Sequence, residues 1–64
     1  MKPRDRAVHV LIEEGYQLER RGKNHDIYYN AELGALIPLK RHDFDEADLR
    51  YIQKEIKHNR RDRG

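Results

Sequence analysis

The spacing of the apolar residues changes period twice along this chain, and no other feature constrains its fold as much. Ala7, Val8, Leu11 and Ile12 recur at the three- and four-residue spacing of one helical face, with Arg6, His9, Glu13 and Glu14 mostly on the other side. Pro3 suits the first turn of such a helix, where its missing N–H costs nothing. Gly15 stands just past the last periodic residue, where a left-handed cap is wanted. These signals predict a helix over about residues 3 to 14. From Tyr16 the period falls to two: Tyr16, Leu18 and Arg20 alternate with Gln17, Glu19 and Arg21, a strand that starts apolar and ends basic. Gly22-Lys23-Asn24 reads as a turn with two residues that tolerate positive φ. His25-Asp26-Ile27-Tyr28-Tyr29 is rich in strand formers and completes a hairpin. Asn30 to Gly34 makes a second turn, and Ala35-Leu36-Ile37 a short third strand that ends at Pro38 or lies on an edge.

The helical period then returns. Leu49, Ile52 and Ile56 form an apolar stripe with Tyr51 beside it. Asp45 is placed to cap the helix start, Phe44 and Leu49 are spaced as a hydrophobic staple, and acids in the first turn suit the helix dipole. Lys54, Lys57 and His58 stand near the far end, where positive charge is favoured. Residues 59–64 carry Arg60, Arg61 and Arg63 without an apolar anchor and are expected to fray as a flexible basic tail. The order helix, three strands, helix predicts a two-layer α+β domain, with both helices on one face of a three-stranded antiparallel sheet. The other face is left to solvent or a partner.

A chain of 64 residues makes one domain, spanning 1–64, with a thin margin of stability. With no cysteine, neither a disulfide framework nor a thiolate zinc site can add to it. Charged residues are 41 % of the chain, but the net charge is only +2 and the apolar residues are periodic, so a folded domain with a heavily charged surface is expected. No apolar run spans a membrane and the N-terminus has no signal-peptide core, which points to a cytoplasmic protein with no membrane partner.

Of the four histidines, His25 is the one placed for chemistry. It opens a strand directly after the turn and is flanked by Arg20, Arg21 and Lys23. Cleaving RNA needs a base for the 2′-hydroxyl proton or an acid for the leaving 5′-oxygen, together with cations for the charge that builds on phosphate. A histidine among Arg and Lys supplies both. Strict alternation puts His25 on the face of Ile27 and Tyr29, so with Ile27 in the core His25 would sit at its rim. His42, in Lys40-Arg41-His42-Asp43, lies in a loop that can bind phosphate with Lys40 and Arg41. His9 reads as a solvent-face residue and His58 as a helix-end cation. Tyr16, Tyr28, Tyr29 and Tyr51 can stack on unpaired bases, though most of them read as core or half-buried sheet residues, and Tyr28, opposite Ile27, is the one expected to be exposed. There is no metal-ligand spacing, no phosphate-cradling glycine loop and no nucleophile elbow, so no metal or cofactor is expected.

The run from Arg20 to Asn30 resembles the hairpin of HicA toxins, in which a Gly-x-Asn-His or Gly-Ser-His segment carries a histidine. Ile37-Pro38-Leu39-Lys40-Arg41-His42 is similar to that family's second block, and Val8 to Tyr16 to its first helix and the glycine–aromatic step after it. The likeness covers about residues 6 to 57. Two departures stand out: Lys40 occupies a place where many members have a second proline, and the stretch Asp43 to Asp48 is acidic where a more basic version is common. The resemblance implies an α-β-β-β-α fold like a double-stranded-RNA-binding domain. It implies an endoribonuclease toxin that cleaves messenger RNA with His25 as catalytic residue, restrained by a HicB-type antitoxin. On this reading Arg20, Arg21 and Lys23 hold phosphate, Asn24 orients the turn or donates to a phosphate oxygen, and Tyr28, Lys40, Arg41 and His42 complete the substrate contacts. The residues themselves leave two other readings open: a non-catalytic RNA-binding module of the same fold, and an interaction protein whose open sheet face meets another chain.

Overall fold

The computed structural model describes the backbone of residues 1–63 and the side chains of residues 1–60. The chain runs α1 (Pro3–Glu13), β1 (Gln17–Arg21), β2 (His25–Asn30), β3 (Ala35–Lys40) and α2 (Glu46–Arg63). The strands form one antiparallel sheet in the order β1-β2-β3. Both helices pack on one face of it, so the expected α+β order and layering are present.

Each boundary has a local cause. Pro3 opens α1. Its C-terminus closes as a Schellman motif: the Tyr16 N–H donates to the Leu11 carbonyl at 2.9 Å, the Gly15 N–H donates to the Ile12 carbonyl at 3.1 Å, and Gly15 takes a φ of 92°. Tyr16 is thus not the first strand residue. It is the residue that leaves the helix, and its ring is fully buried against Leu11 and its neighbours. At α2, Asp45 and Asp48 cap each other's backbone: the Asp48 N–H donates to Asp45 Oδ1 at 3.1 Å and the Asp45 N–H donates to Asp48 Oδ2 at 3.0 Å. This is a capping box with aspartate in the position usually held by glutamate. Phe44 packs partly buried against the core, as the staple spacing expects.

The core consists of Ala7 and Leu11 from α1, Tyr16, Tyr28 from β2, Ile37 and Leu39 from β3, and Leu49, Ile52 and Ile56 from α2. Six of these are aliphatic residues of Leu or Ile size, each worth about 1.5–3 kcal/mol when fully buried. A core this small leaves a large share of the specification to polar ties between elements.

Four expectations need correction. The first concerns the phase of the sheet. In β2 the buried residues are Asp26, Tyr28 and Asn30, while Ile27 and Tyr29 are half-buried and His25 is exposed. Tyr28 is therefore a core residue, and His25, Ile27 and Tyr29 look out from the open face. Second, β3 runs beyond Ala35-Leu36-Ile37 to Lys40; of the two placements expected for Pro38, the strand's end and an edge, it takes the edge, where a missing N–H is tolerated. Third, β1 contains an irregularity between Leu18 and Arg20 that sets Glu19 outside the register. Leu18 pairs with Tyr28 on the helix side, but Arg20 pairs with Ile27 on the open side and Arg21 with Asp26. Fourth, the chain does not fray at Asn59. Helix α2 runs on to Arg63; Asn59 Nδ2 donates to the Tyr16 hydroxyl at 3.0 Å and Arg60 pairs with Glu14 at 3.1 Å. The side chains expected to form the rest of the basic tail, 61–64, lie outside the described residues.

Candidate functional site

The position of His25 follows from how the β1–β2 turn is held. The Gly22 N–H donates to the His25 carbonyl at 2.7 Å, and a Cβ on Gly22 would stand 2.8 Å from that oxygen. Gly22 is therefore required by close approach of backbone, not by a positive φ, which neither it nor Asn24 adopts. Arg41 then clamps the turn from the loop that follows β3. Its guanidinium donates to the Gly22 carbonyl and, at 3.2 Å, to the Lys23 carbonyl, while its backbone N–H donates to the Asn24 carbonyl at 3.2 Å. The same guanidinium donates to Asp26 Oδ1, through Nη2 at 2.9 Å and Nε at 3.2 Å. From α1, Arg4 Nη2 donates to Asp26 Oδ2 at 2.8 Å, and its Nε donates to the Lys40 carbonyl at 3.0 Å. Desolvation raises the Asp26 pKa, but the hydrogen bond and charge of Arg41, the hydrogen bond of Arg4 and the charge of Arg21 outweigh it and hold this carboxyl below the ordinary value of 3.8. His25 is thus the exposed residue between a backbone turn tied in three places and a carboxylate tied to two arginines.

On the open side His25 stands directly opposite Lys40 in the β2–β3 register. The two line a groove of about 220 Å³ with Pro38, Phe44, Asp48, Tyr51 and Ile52, where the start of α2 borders the edge strand. Lys40 Nζ lies 3.1 Å from Asp48 Oδ2. The Asp45 backbone hydrogen bond and the Lys40 ammonium together hold the Asp48 carboxyl below the ordinary aspartate range. The groove therefore brings together an imidazole, an ammonium paired with a carboxylate, and the aromatic carbon of Phe44 and Tyr51.

The expected substrate contacts divide in space. Arg20 shares the open face with Ile27 and His25, and Lys23 and Asn24 are exposed on the turn. Arg21 is on the opposite face, where with Arg4, His9, Leu18 and Tyr28 it lines a cavity of about 470 Å³ between α1 and β1. Arg41 spends its donors on Asp26 and the turn, so it positions His25 and has little left for phosphate. Tyr28, only 6 % exposed, has no face to offer a base. His42 is exposed in the loop after β3, outside the groove. Of the tyrosines able to stack on a base, the one that lines the groove is Tyr51, 57 % exposed beside the apolar stripe of α2 and three positions after Asp48, and not Tyr28, on which exposure was expected; its offset from the stripe was the signal for its exposure.

A further cavity, of about 330 Å³, opens near Gly15, Gln17, Glu19, Tyr29 and Glu32. Its two carboxylates repel phosphate. Among the described residues, no three His, Cys, Asp or Glu side chains are grouped to hold a metal ion, and no helix is long and apolar enough to cross a membrane. Comparison of the chain with protein-family models, with curated proteins and with solved structures returned no match.

Proposed function

We propose that this protein is a metal-independent endoribonuclease that cleaves messenger RNA at the His25 groove, acting in the cytoplasm as the toxin of a toxin–antitoxin pair restrained by a HicB-type protein. The observation that carries the nuclease reading is His25 itself: an exposed imidazole on the open sheet face, cross-strand from Lys40 and beside a turn carrying Lys23 and Asn24. Toxicity and the antitoxin rest on the resemblance of the hairpin and of the third-strand block to the HicA family.

In the reaction, His25 takes the proton of a ribose 2′-hydroxyl. The 2′-oxygen attacks the adjacent phosphorus, the bond from phosphorus to the 5′-oxygen breaks, and water protonates that oxygen. The products are a 2′,3′-cyclic phosphate and a free 5′-hydroxyl. Lys40, with Arg20 and Lys23 near the turn, offsets the charge that builds on the phosphoryl oxygens. His25 has a base's reach without an assigned partner acid, and a single general base contributes about 10²–10⁴-fold, so a slow enzyme is expected.

The test is cleavage of RNA by the purified protein in EDTA, wild type against His25→Ala, both shown folded by circular dichroism. Cleavage by wild type and at least a hundredfold less by the variant is the expected result. Equal cleavage by both removes His25 from the chemistry. Binding by both without cleavage replaces the nuclease with an RNA-binding module of the same fold.

A further inference from the structure

Tyr51 is the side chain in the His25 groove that phosphate chemistry does not use. It belongs to α2 but stands off the Leu49, Ile52 and Ile56 stripe, and more than half of it is exposed. A tyrosine placed there buries little area and gives the core nothing. It does line the groove, together with Pro38 and Phe44 and with His25 and Lys40. At about 220 Å³ the groove is smaller than the roughly 300–1,000 Å³ of sites that enclose a whole small ligand. It suits one flat ring system attached to something that stays outside.

Charge decides which part of a nucleotide enters. Asp48 lines the same groove, so an anion that enters it meets a carboxylate. Lys40 neutralises only one of the Asp48 oxygens, the Oδ2 that also accepts from the Asp45 N–H. A phosphate is therefore held outside, at Lys40, His25 and the turn, while an uncharged ring is drawn in against Tyr51. Aromatic side chains stack on bases that are not already stacked in a duplex, so the chain that binds must be single-stranded at this point.

We propose that the groove between β3 and α2 is a nucleobase subsite, in which one unpaired base of single-stranded RNA stacks on the Tyr51 ring beside Pro38 while the neighbouring phosphate lies at His25 and Lys40. This rests on reading the groove as the RNA site, and it goes further by assigning the strandedness of the substrate and the residue that selects it. Tyr51 holds the base and so fixes which phosphate reaches His25. Double-stranded RNA, whose bases are stacked on one another, is excluded from the subsite.

The test uses a short 2′-O-methyl RNA, which has no 2′-hydroxyl nucleophile and cannot be cut, titrated onto the full chain. Wild type, Tyr51→Phe and Tyr51→Ala are compared, each with its thermal midpoint measured. Affinity within about twofold of wild type for the Phe variant and about tenfold weaker for the Ala variant is the expected pattern. An oligonucleotide with one abasic position should bind wild type about as weakly as the intact one binds Tyr51→Ala. Equal affinity of Tyr51→Ala and wild type overturns the subsite, whatever the protein does to RNA. If wild type neither binds this RNA nor cleaves its unmodified counterpart in EDTA, the RNA reading itself fails. If it cleaves duplex RNA as fast as single strands, the subsite is not what selects the substrate.

Discussion

Asp26 shows how one residue can carry both fold and site. It is buried, but both oxygens are held by guanidinium groups, and the arginines reach it from α1 and from the loop after β3. Taking away one partner of such a cluster leaves the others desolvated and unpaired, which is the costly direction for a buried ion pair. Both arginines are partly exposed, so the loss for Asp26→Asn is set at about 2 kcal/mol, below the ~3–5 kcal/mol of a fully enclosed pair. The pH dependence has a definite sign. The folded pKa of Asp26 lies below its unfolded value, so its contribution is fully present above the unfolded value and is lost as pH falls through the folded one. Asp48 is shifted the same way and adds to the same acid limb. Urea midpoints measured from neutral pH down through the carboxylate range should fall for wild type and fall less steeply for Asp26→Asn, with a residual slope from Asp48.

Asn30 does for the elements what Asp26 does for the turn. Its Nδ2 donates to the Glu14 carbonyl at the end of α1 at 3.0 Å, and its Oδ1 accepts from the Leu33 N–H in the β2–β3 turn at 3.0 Å. One buried amide thus closes a helix and a hairpin together. Asn30→Ala removes both bonds and leaves a carbonyl and an N–H to find water, a loss of about 2 kcal/mol. In a domain of this size that lowers the thermal midpoint by about 10 °C, a shift that a calorimetric scan resolves. The same residue explains why the phase of the sheet was hard to read. Asp26, Tyr28 and Asn30 face the helices while His25, Ile27 and Tyr29 do not, and on composition the second set is at least as apolar. Two polar residues can occupy core positions because arginines and backbone groups satisfy them there, and those partners are at distant points in the chain.

At the scale of the molecule, the radius of gyration of 11.0 Å matches the roughly 11 Å of a compact domain of this length, despite the high charge content. Part of that charge is paired: Arg4 and Arg41 with Asp26, Lys40 with Asp48, Arg6 with Glu46, Arg60 with Glu14. On the open face near the groove the cations are Arg20 and Lys23, outside these pairs, and Lys40, which shares its charge with Asp48, and this set is small. For single-stranded RNA, about three phosphate contacts correspond to a slope near −2 in log affinity against log salt. Titrations across a range of salt should give about that value; a slope near zero would argue for a protein-binding face, and a much steeper one for a broader basic surface than the groove supplies.

The order of elements, the helix caps and the presence of a histidine beside a basic turn were legible in the chain alone, because periodicity, proline, glycine and capping residues act over a few positions. Which side of the sheet His25 occupies was not. That depended on Asp26 meeting arginines 22 residues before it and 15 after it, and on Asn30 meeting Glu14. The separation of Arg20 from Arg21 came from one irregular step in β1. Burial of Tyr28, recruitment of Arg41 to the turn and placement of Tyr51 in the His25 groove came from packing α2 along the sheet edge. Local propensity sets what each segment becomes, and only the pairing of distant polar groups decides which of its faces is inside.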